Sequence, residues 1–316
     1  MRMSKKIAIV GAGISGLACA YLLSRKNYSI TIFAKAFSPD ITSNRAAAFW
    51  FPYHIRNDRR GIEWCRTSYR IFRQLMHDPG TGISMKQLIK VVREDVAEDE
   101  PVWIEFMPEG SIRMVPKEKL KPGVAKAYDV QVPLIETQIF LPYLKEYLLT
   151  KTVGFQQGDV KDFRSLRSSH DVVINCTGLG ARDLCDDKNL VPVRGQVALI
   201  ETLSDFPIYL DNEKPLYIVP RKDAMIVGGT YEENIFDEAT EAETIEKILC
   251  NAYEVFPQLK QQKILGSWAG LRPYRPVVRV EREEKIIHNY GHGGSGFTLS
   301  FGCAEEVVKL VEEGTQ

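Results

Sequence analysis

The sequence has no excess of charge of either sign, and this makes one class of partner unsuitable. Lys and Arg total 41 among its 316 residues, and Asp and Glu also total 41, so the net charge is zero at pH 7. A nucleic-acid-binding surface needs basic residues to neutralise the phosphate backbone, so we expect no nucleic-acid partner. Apolar residues make up 44 % of the chain, which is not the composition of a disordered protein.

Cysteine pairs at metal-binding spacing are missing as well. The six cysteines include no C-x-x-C pair, which argues against a thiolate zinc site and against a small disulfide scaffold. Two of the five histidines, His288 and His292, lie four positions apart. Glycines on both sides of His292 disfavour a helix there, and no carboxylate or thiolate completes a ligand set. We therefore predict no metal site.

Long hydrophobic runs are also absent, since no stretch approaches the ~20 apolar residues that cross a bilayer. One segment resembles a signal peptide, because Arg2, Lys5 and Lys6 precede the mostly apolar residues 7–23. Against a signal peptide, this run contains three glycines, Gly11, Gly13 and Gly16, whose spacing is that of a strand–turn–helix arrangement. The last residues, Glu-Glu-Gly-Thr-Gln, match no organelle address. We expect a cytoplasmic protein with no membrane partner.

A glycine-rich turn lies near the start of the chain, between a predicted strand and a predicted helix. Residues 6–10 have the composition of a buried strand, residues 17–25 follow helical spacing, and residues 29–33 form a second β-branched run. The turn between strand and helix reads Gly11-Ala-Gly-Ile-Ser-Gly16, which is the fingerprint of dinucleotide binding. Residues Gly11, Ala12, Gly13, Ile14, Ser15 and Gly16 are thus predicted to hold a pyrophosphate at the helix N-terminus.

The fingerprint lacks one of its usual members. An acidic residue about twenty positions after the first glycine normally holds the ribose of the nucleotide. Here the second strand ends in Phe33-Ala-Lys-Ala36, without Asp or Glu. A backbone contact, or a side chain near Thr42 and Ser43, could take its place.

The remaining pattern alternates between helical and strand segments and predicts an α/β fold. Helices are indicated at residues 60–77, 137–149, 239–256 and 304–311, and strands at 170–175, 196–200, 216–219, 224–227 and near Ile286. At roughly 150 residues per domain, the length predicts two domains. Because no flexible linker separates them, they must share the chain discontinuously.

The most specific strings lie near the C-terminus, and two further strings lie earlier in the chain. They are Gly270-Leu-Arg-Pro-Tyr-Arg-Pro276, Glu281-Arg-Glu283 and His288-Asn-Tyr-Gly-His-Gly-Gly-Ser-Gly-Phe-Thr298, together with Ala46-Ala-Ala-Phe-Trp-Phe-Pro-Tyr53 and Val173-Ile-Asn-Cys-Thr-Gly178. In the family's order along the chain, and over essentially the whole chain, they resemble the FAD-dependent D-amino-acid oxidase family, which includes D-aspartate oxidase. The resemblance implies a Rossmann-type FAD-binding domain, at about 1–50, 134–192 and 270–316. It implies a smaller substrate domain with a mainly antiparallel sheet, at about 51–133 and 193–269.

The resemblance also implies which residues bind FAD, without a covalent bond. Ala48 occupies a position where the family usually has glycine, and residues 293–298 match the segment along the pyrimidine side of the flavin ring. Besides the glycine turn, the implied cofactor-binding residues are Lys35, Thr42, Ser43, Ala46, Ala47, Ala48, Val160, Thr177, Gly178, Arg272, Gly293, Gly294, Ser295, Gly296, Phe297 and Thr298.

For the substrate, the resemblance implies an anchor at each end of the amino acid. Arg272 matches the arginine that grips the carboxylate through two parallel hydrogen bonds, and the hydroxyl of Tyr217 reaches the same group. The carbonyl of Gly294 would accept from the amine. No residue is needed as a general acid or base, because the α-hydrogen leaves as a hydride to the flavin. An imino acid then hydrolyses to a 2-oxo acid and ammonia, and oxygen is reduced to hydrogen peroxide.

The identity of the substrate side chain stays open at this point. Tyr53, Tyr231 and Phe51 suggest a pocket for bulky neutral side chains, whereas His54 and Arg221 could favour an acidic one, and Glu232 or Glu233 a basic one. Residues 204–214 are interpreted as a short covering loop. The alternatives are a D-aspartate or D-glutamate oxidase, a glycine or small-amine oxidase of the same superfamily, and a flavin-binding protein without turnover. The oligomeric state cannot be deduced from the sequence.

Overall fold

Helices and strands alternate along most of the chain. The computed structural model describes residues 4–55, 59–94 and 102–313. The helices within these ranges are α1 (Ile14–Leu23), α2 (Arg59–Leu75), α3 (Thr137–Thr150), α4 (Arg164–Ser169), α5 (Ala181–Leu184), α6 (Ala242–Val255) and α7 (Gly296–Glu313). The strands are β1 (Lys5–Val10), β2 (Tyr28–Ala34), β3 (Ile83–Arg93), β4 (Ile112–Met114), β5 (Val124–Ile135), β6 (Gly154–Gln157), β7 (Val172–Asn175), β8 (Val191–Ile200), β9 (Ile208–Asp211), β10 (Leu216–Pro220), β11 (Met225–Gly228), β12 (Glu232–Glu233), β13 (Ile264–Glu283) and β14 (Ile286–His292).

The parallel part of the sheet has the order β14-β7-β1-β2-β6. Its central strands are buried on both faces, as shown by Ile7, Ala8 and Ile9, which have no exposed surface. Such burial explains why β1 and β7 are continuous apolar runs without alternation. Helices α1, α3 and α7 pack against one another over this part, so the N-terminus of α1 is fixed at the carboxyl end of β1.

The remaining strands pair mainly antiparallel, in the order β4-β5-β3-β9-β10-β11-β8. Strand β13 joins the two parts: its first half pairs with β8 and its second half with β14. The predicted α/β fold with a mainly antiparallel sheet is thereby confirmed. The division into two discontinuous domains stays a prediction, because one continuous sheet runs through both sets of residues.

Three elements differ from the sequence-based expectation. The last helix, α7, begins at Gly296 and not near residue 304, so Phe297 and Thr298 lie in its first turn. Residues 204–214 are only partly a loop, since they contain strand β9, which pairs with both β3 and β10. Helix α1 begins at Ile14, three residues earlier than expected. Within the described ranges no helix is long and apolar enough to cross a membrane.

Helices α2 and α7 approach each other closely at Gly302. A Cβ atom at this position would lie 2.2 Å from the Cα and from the carbonyl oxygen of Trp64. The backbone N–H of Gly302 donates to Ser68 Oγ at 3.0 Å, and the indole of Trp64 donates to Glu306 at 2.6 Å. The two helices can keep this contact only if position 302 has no side chain.

We predict that Gly302→Ala lowers the free energy of unfolding by about 3 kcal/mol, because the added methyl must push one backbone away from another. Urea unfolding followed by circular dichroism measures this. The matched control is Gly158→Ala, where a Cβ would meet nothing within 4 Å, so its stability should change by less than about 0.5 kcal/mol. Equal stability of the two variants would show that α2 and α7 are not in backbone contact.

Candidate active site

A large cavity lies where the parallel and antiparallel parts of the sheet meet. Its volume is about 1480 Å³, which exceeds the roughly 300–1,000 Å³ of an ordinary small-molecule pocket. All of the predicted substrate-binding residues line it, and so do all but two of the predicted cofactor-binding residues. The exceptions are Gly16 and Ser295. The cavity therefore brings together segments that are far apart in the sequence.

The glycine turn forms one wall of the cavity. Gly11 has a positive φ of 112°, and a Cβ on it would lie 2.2 Å from the carbonyl oxygen of Cys176. Gly16 lies inside α1, where a Cβ would be 1.9 Å from the carbonyl oxygen of Gly11. Gly16 thus contributes by letting the helix approach the strand and not by lining the cavity.

A short turn at Thr42–Arg45 closes over the N-terminus of α1. The Ile14 N–H donates to Ser43 Oγ at 3.0 Å, and a Cβ on Gly13 would lie 3.0 Å from the same oxygen. Ser43 therefore packs closely against Gly13, which itself lines the cavity. A helix N-terminus that borders a cavity can hold an anionic group.

The segment after β14 forms a second wall. Thr298 Oγ1 donates to the carbonyl of Phe51 at 2.9 Å and accepts from its N–H at 3.2 Å, which ties α7 to the segment that follows Ala48. Ser295 is buried and donates to the carbonyl of Tyr53. Ser295 therefore supports this wall from behind, whereas Gly293, Gly294 and Gly296 face the cavity.

His292 connects the two walls. Its Nε2 lies 3.0 Å from Asn289 Oδ1, and its Nδ1 lies 3.4 Å from Ser15 Oγ at the start of α1. Burial lowers the pKa of His292 to about 4, so the ring is neutral at pH 7. Its neighbour in the motif, His288, instead contacts Asn175 and Glu283.

Arg272 and Tyr217 face the cavity from neighbouring parts of the antiparallel sheet. The guanidinium of Arg272 donates to the carbonyl of Thr230 at 3.1 Å, and within the described ranges no carboxylate lies within ion-pair distance of it. A Cβ on Gly195 would lie 2.1 Å from this guanidinium, and a Cβ on Gly228 would lie 2.2 Å from the ring of Tyr217. Two glycines thus make room for the two side chains.

Sequence reasoning missed both of these glycines. Gly195 lies in β8 opposite Gly270, and Gly228 ends β11 opposite Tyr217. A glycine inside a strand pattern is a general signal of close approach by another group. Both glycines show this signal, but a single sequence does not show that Arg272 and Tyr217 are the side chains that approach them.

An aromatic cluster borders the cavity next to Arg272. The ring of His54 stacks on that of Tyr231 at 5.4 Å, and its centroid is 4.2 Å from that of Tyr53. Burial, and then the charge of Arg272, lower the pKa of His54, which is therefore neutral at pH 7. Burial raises the pKa of Tyr53, so its hydroxyl keeps its proton.

Two of the charged residues suggested for the substrate side chain are paired with other residues of the protein. Arg221 is buried, forms an ion pair with Asp223 and donates to Thr137 Oγ1 at 3.0 Å. Glu232 is held by Arg194 and accepts from the amide of Gln196 at 2.9 Å. These partners leave neither residue unpaired for an acidic or a basic substrate side chain, although Arg221 lines the cavity. Glu233 is exposed in β12 and does not line the cavity.

The cavity fits the cofactor that the sequence suggests. A glycine turn at a helix N-terminus lies along one wall, and a glycine-rich segment that can lie against a flat ring lies along the other. The volume accommodates a dinucleotide together with a small substrate. Comparison with known proteins agrees: a family model described as FAD dependent oxidoreductase matches residues 6–310.

The chain belongs to this family. The D-amino-acid oxidase of Rubrobacter xylanophilus is 35 % identical to it over 319 residues, which cover 98 % of this chain and 96 % of that protein. The human D-aspartate oxidase is 28 % identical over 324 residues, covering 98 % and 95 %. The glycine oxidase of Bacillus cereus shares the fold, with a TM-score of 0.81 at 19 % identity over 99 % of this chain and 96 % of that one. The predicted family and its FAD cofactor are thus confirmed.

The neutral His292 predicts a pH dependence of stability. In the unfolded chain its pKa returns to 6.5, so between pH 6.5 and 4 the unfolded state binds more protons than the folded state. Stability from this group is therefore complete above pH 6.5 and falls by about 3 kcal/mol as the pH drops to 4. Because glutamine does not titrate, the free energy of unfolding of His292→Gln should fall by about 3 kcal/mol less than that of the parent protein between pH 6.5 and 4.

The measurement is urea unfolding at saturating FAD between pH 7 and 4. His77→Gln is the matched control, because it makes the same substitution at an exposed position. Parallel pH slopes for the parent protein and His292→Gln would contradict the burial of a neutral ring.

Proposed function

We propose that this protein oxidises D-amino acids to 2-oxo acids, with release of ammonia and hydrogen peroxide. The observation that carries the proposal is the guanidinium of Arg272, which faces the cavity without a carboxylate partner in the described part of the chain. A cation in this position needs an anion, and the α-carboxylate of an amino acid has the matching planar shape. The hydroxyl of Tyr217 adds a second donor to the same group.

The amine of the substrate has an acceptor on the opposite wall. A Cβ on Gly294 would lie 3.1 Å from the ring of Tyr53 and 3.5 Å from Cδ of Arg272, so the backbone at Gly294 borders the anchor directly. Its carbonyl accepts from the amine while Arg272 holds the carboxylate. Two contacts of this kind orient the α-hydrogen, and orientation is the main contribution that the protein makes.

FAD, when bound, supplies the redox chemistry by accepting a hydride from the substrate and returning the electrons to oxygen. The residues that would hold it are those of the glycine turn and of the Gly293–Thr298 segment. No covalent attachment is proposed. The protein need not supply a general base, because the lone pair of a neutral amine drives the hydride out.

The substrate side chain is proposed to be neutral and bulky. Near Arg272 the cavity is bordered by Tyr53, His54 and Tyr231, and the imidazole carries no charge at pH 7. Arg221 is paired with Asp223, so no second free cation is offered to an acidic side chain by these residues. This favours neutral D-amino acids over D-aspartate, the named substrate of the human relative. The FAD-binding site, by itself, would equally suit a protein without turnover.

The first test of the proposal is Arg272→Met, which should lower kcat/KM by about 10⁴-fold. About a hundredfold comes from the lost charge-assisted pair and a similar factor from misorientation of the α-hydrogen. Arg272→Lys should recover only a small part, since an ammonium cannot make two parallel hydrogen bonds. Gly195→Ala keeps Arg272 but its added methyl displaces the guanidinium, so this variant should also have a lower kcat/KM.

The controls separate binding of substrate from folding and cofactor retention. Each variant should keep the absorption spectrum of bound oxidised flavin, because the glycine turn and the Gly293–Thr298 segment, which are proposed to hold FAD, are unchanged even if Arg272 also contacts the cofactor. Arg113→Met, on the exposed strand β4, should retain full activity. If Arg272→Met keeps a near-normal kcat/KM on the best substrate, another residue holds the carboxylate.

The second test is a panel of D-amino acids assayed for hydrogen peroxide. We expect D-phenylalanine and D-methionine to be oxidised faster than D-aspartate, because the border of the cavity is aromatic and uncharged. Glycine and sarcosine distinguish the small-amine alternative, and the L-enantiomers are the control for handedness. Faster turnover of D-aspartate would contradict the proposed preference for neutral side chains. If no compound in the panel gives hydrogen peroxide, a flavin-binding protein without turnover is favoured.

A further inference from the structure

The end of the cavity next to β2, where a dinucleotide fingerprint holds the adenosine, has an unusual charge arrangement. In a dinucleotide fingerprint, an acidic residue at the end of the second strand accepts hydrogen bonds from the ribose hydroxyls. Here β2 ends at Ala34, and the next residue is Lys35, whose charge has the opposite sign. The hydroxyl donors of the ribose therefore need an acceptor from another element.

The neighbouring strand delivers a carboxylate to the same edge. Strand β6 runs parallel to β2, with Gln157 opposite Ala34, and the N–H of Gly158 donates to the carbonyl of Ala34 at 2.9 Å. The amide of Gln157 donates to the carbonyl of Lys35 at 3.3 Å. The residues that follow the two strands are thus tied together, and Asp159 lines the cavity beside Lys35.

Other acidic residues that line the cavity are less suitable. Asp211 is paired with Arg93 and Glu238 with Arg45, so both are engaged by arginines. Asp183 lies in α5 and not at the edge formed by β2 and β6. Asp40 follows β2 by six residues and is the remaining competitor.

The carboxylate of Asp159 is free to turn toward a ligand. Its partner is Lys161, at 2.5 Å, and the aspartate side chain is 43 % exposed. An ion pair in that exposed setting contributes little to stability, so a ligand can replace it. The hydrogen bond from Lys161, followed by the charges of Lys161 and Lys35, lowers the pKa of Asp159, which keeps the carboxylate ionised at pH 7.

We propose that Asp159 accepts hydrogen bonds from the adenosine ribose of FAD, in place of the acid that β2 lacks. The acceptor would then follow β6, the parallel neighbour of β2 in the sheet, and not β2 itself. Hydrogen bonds from hydroxyls to a carboxylate are among the stronger ones, so this contact should contribute measurably to cofactor affinity. It concerns retention of FAD and is independent of which amino acid is oxidised.

The experiment is titration of the apoprotein with FAD, followed by quenching of flavin fluorescence. Asp159→Asn should raise the Kd for FAD about tenfold, the lower end of the range for a hydrogen bond to a charged group, because the site is partly exposed. Asp40→Asn is the matched control, since it removes a carboxylate from the same cavity and should leave the Kd unchanged.

Two further flavins show which part of the cofactor is involved. FMN has no adenosine, so its Kd should be the same for the parent protein and for Asp159→Asn. An FAD analogue whose adenosine ribose lacks both the 2′- and the 3′-hydroxyl should bind both proteins alike. The proposal is overturned if Asp159→Asn leaves the Kd for FAD unchanged, if it weakens FMN equally, or if Asp40→Asn gives the loss instead.

Discussion

Strand β13 pairs with both parts of the sheet, and the geometry of the site depends on this constraint. Its first half is held by β8 and its second half by β14, with Tyr274 paired to both neighbours. Arg272 lies two residues before that junction. It is therefore fixed against β8 while it points into a cavity whose other wall begins where β14 ends. The proposed carboxylate anchor and the wall formed by the segment after β14 are therefore positioned by the same strand.

Features that depend on local spacing could be predicted from the sequence. The turn at Gly11–Gly16 requires only that a strand, a tight turn and a helix follow one another, and the structure has this arrangement. The family resemblance could propose a role for Arg272 because the motif that carries the resemblance is contiguous, with prolines around the arginine. The predicted cofactor-binding residues also belong to short contiguous segments, so they could be named from the sequence. Almost all of them line one cavity.

Features that depend on pairing between distant strands could not be predicted. The role of Gly195 follows from its register opposite Gly270, and that register is not visible in a single sequence. Arg221 looked available for a substrate until its burial beside Asp223 was known. Asp159 is more than a hundred residues from Lys35 in the chain, and only the parallel pairing of β2 and β6 brings the two side by side.

Anaerobic reduction of the bound flavin tests the central claim most directly, because it isolates the transfer from substrate to cofactor. The purified holoprotein is mixed with D-phenylalanine or with L-phenylalanine in the absence of oxygen, and the absorption band of oxidised flavin is followed in time. A D-amino-acid oxidase with Arg272 as its anchor should lose this band rapidly with the D-enantiomer, and the Arg272→Met protein should keep it. A band that persists with every D-amino acid, or that disappears as fast with the L-enantiomer, would contradict the proposed function.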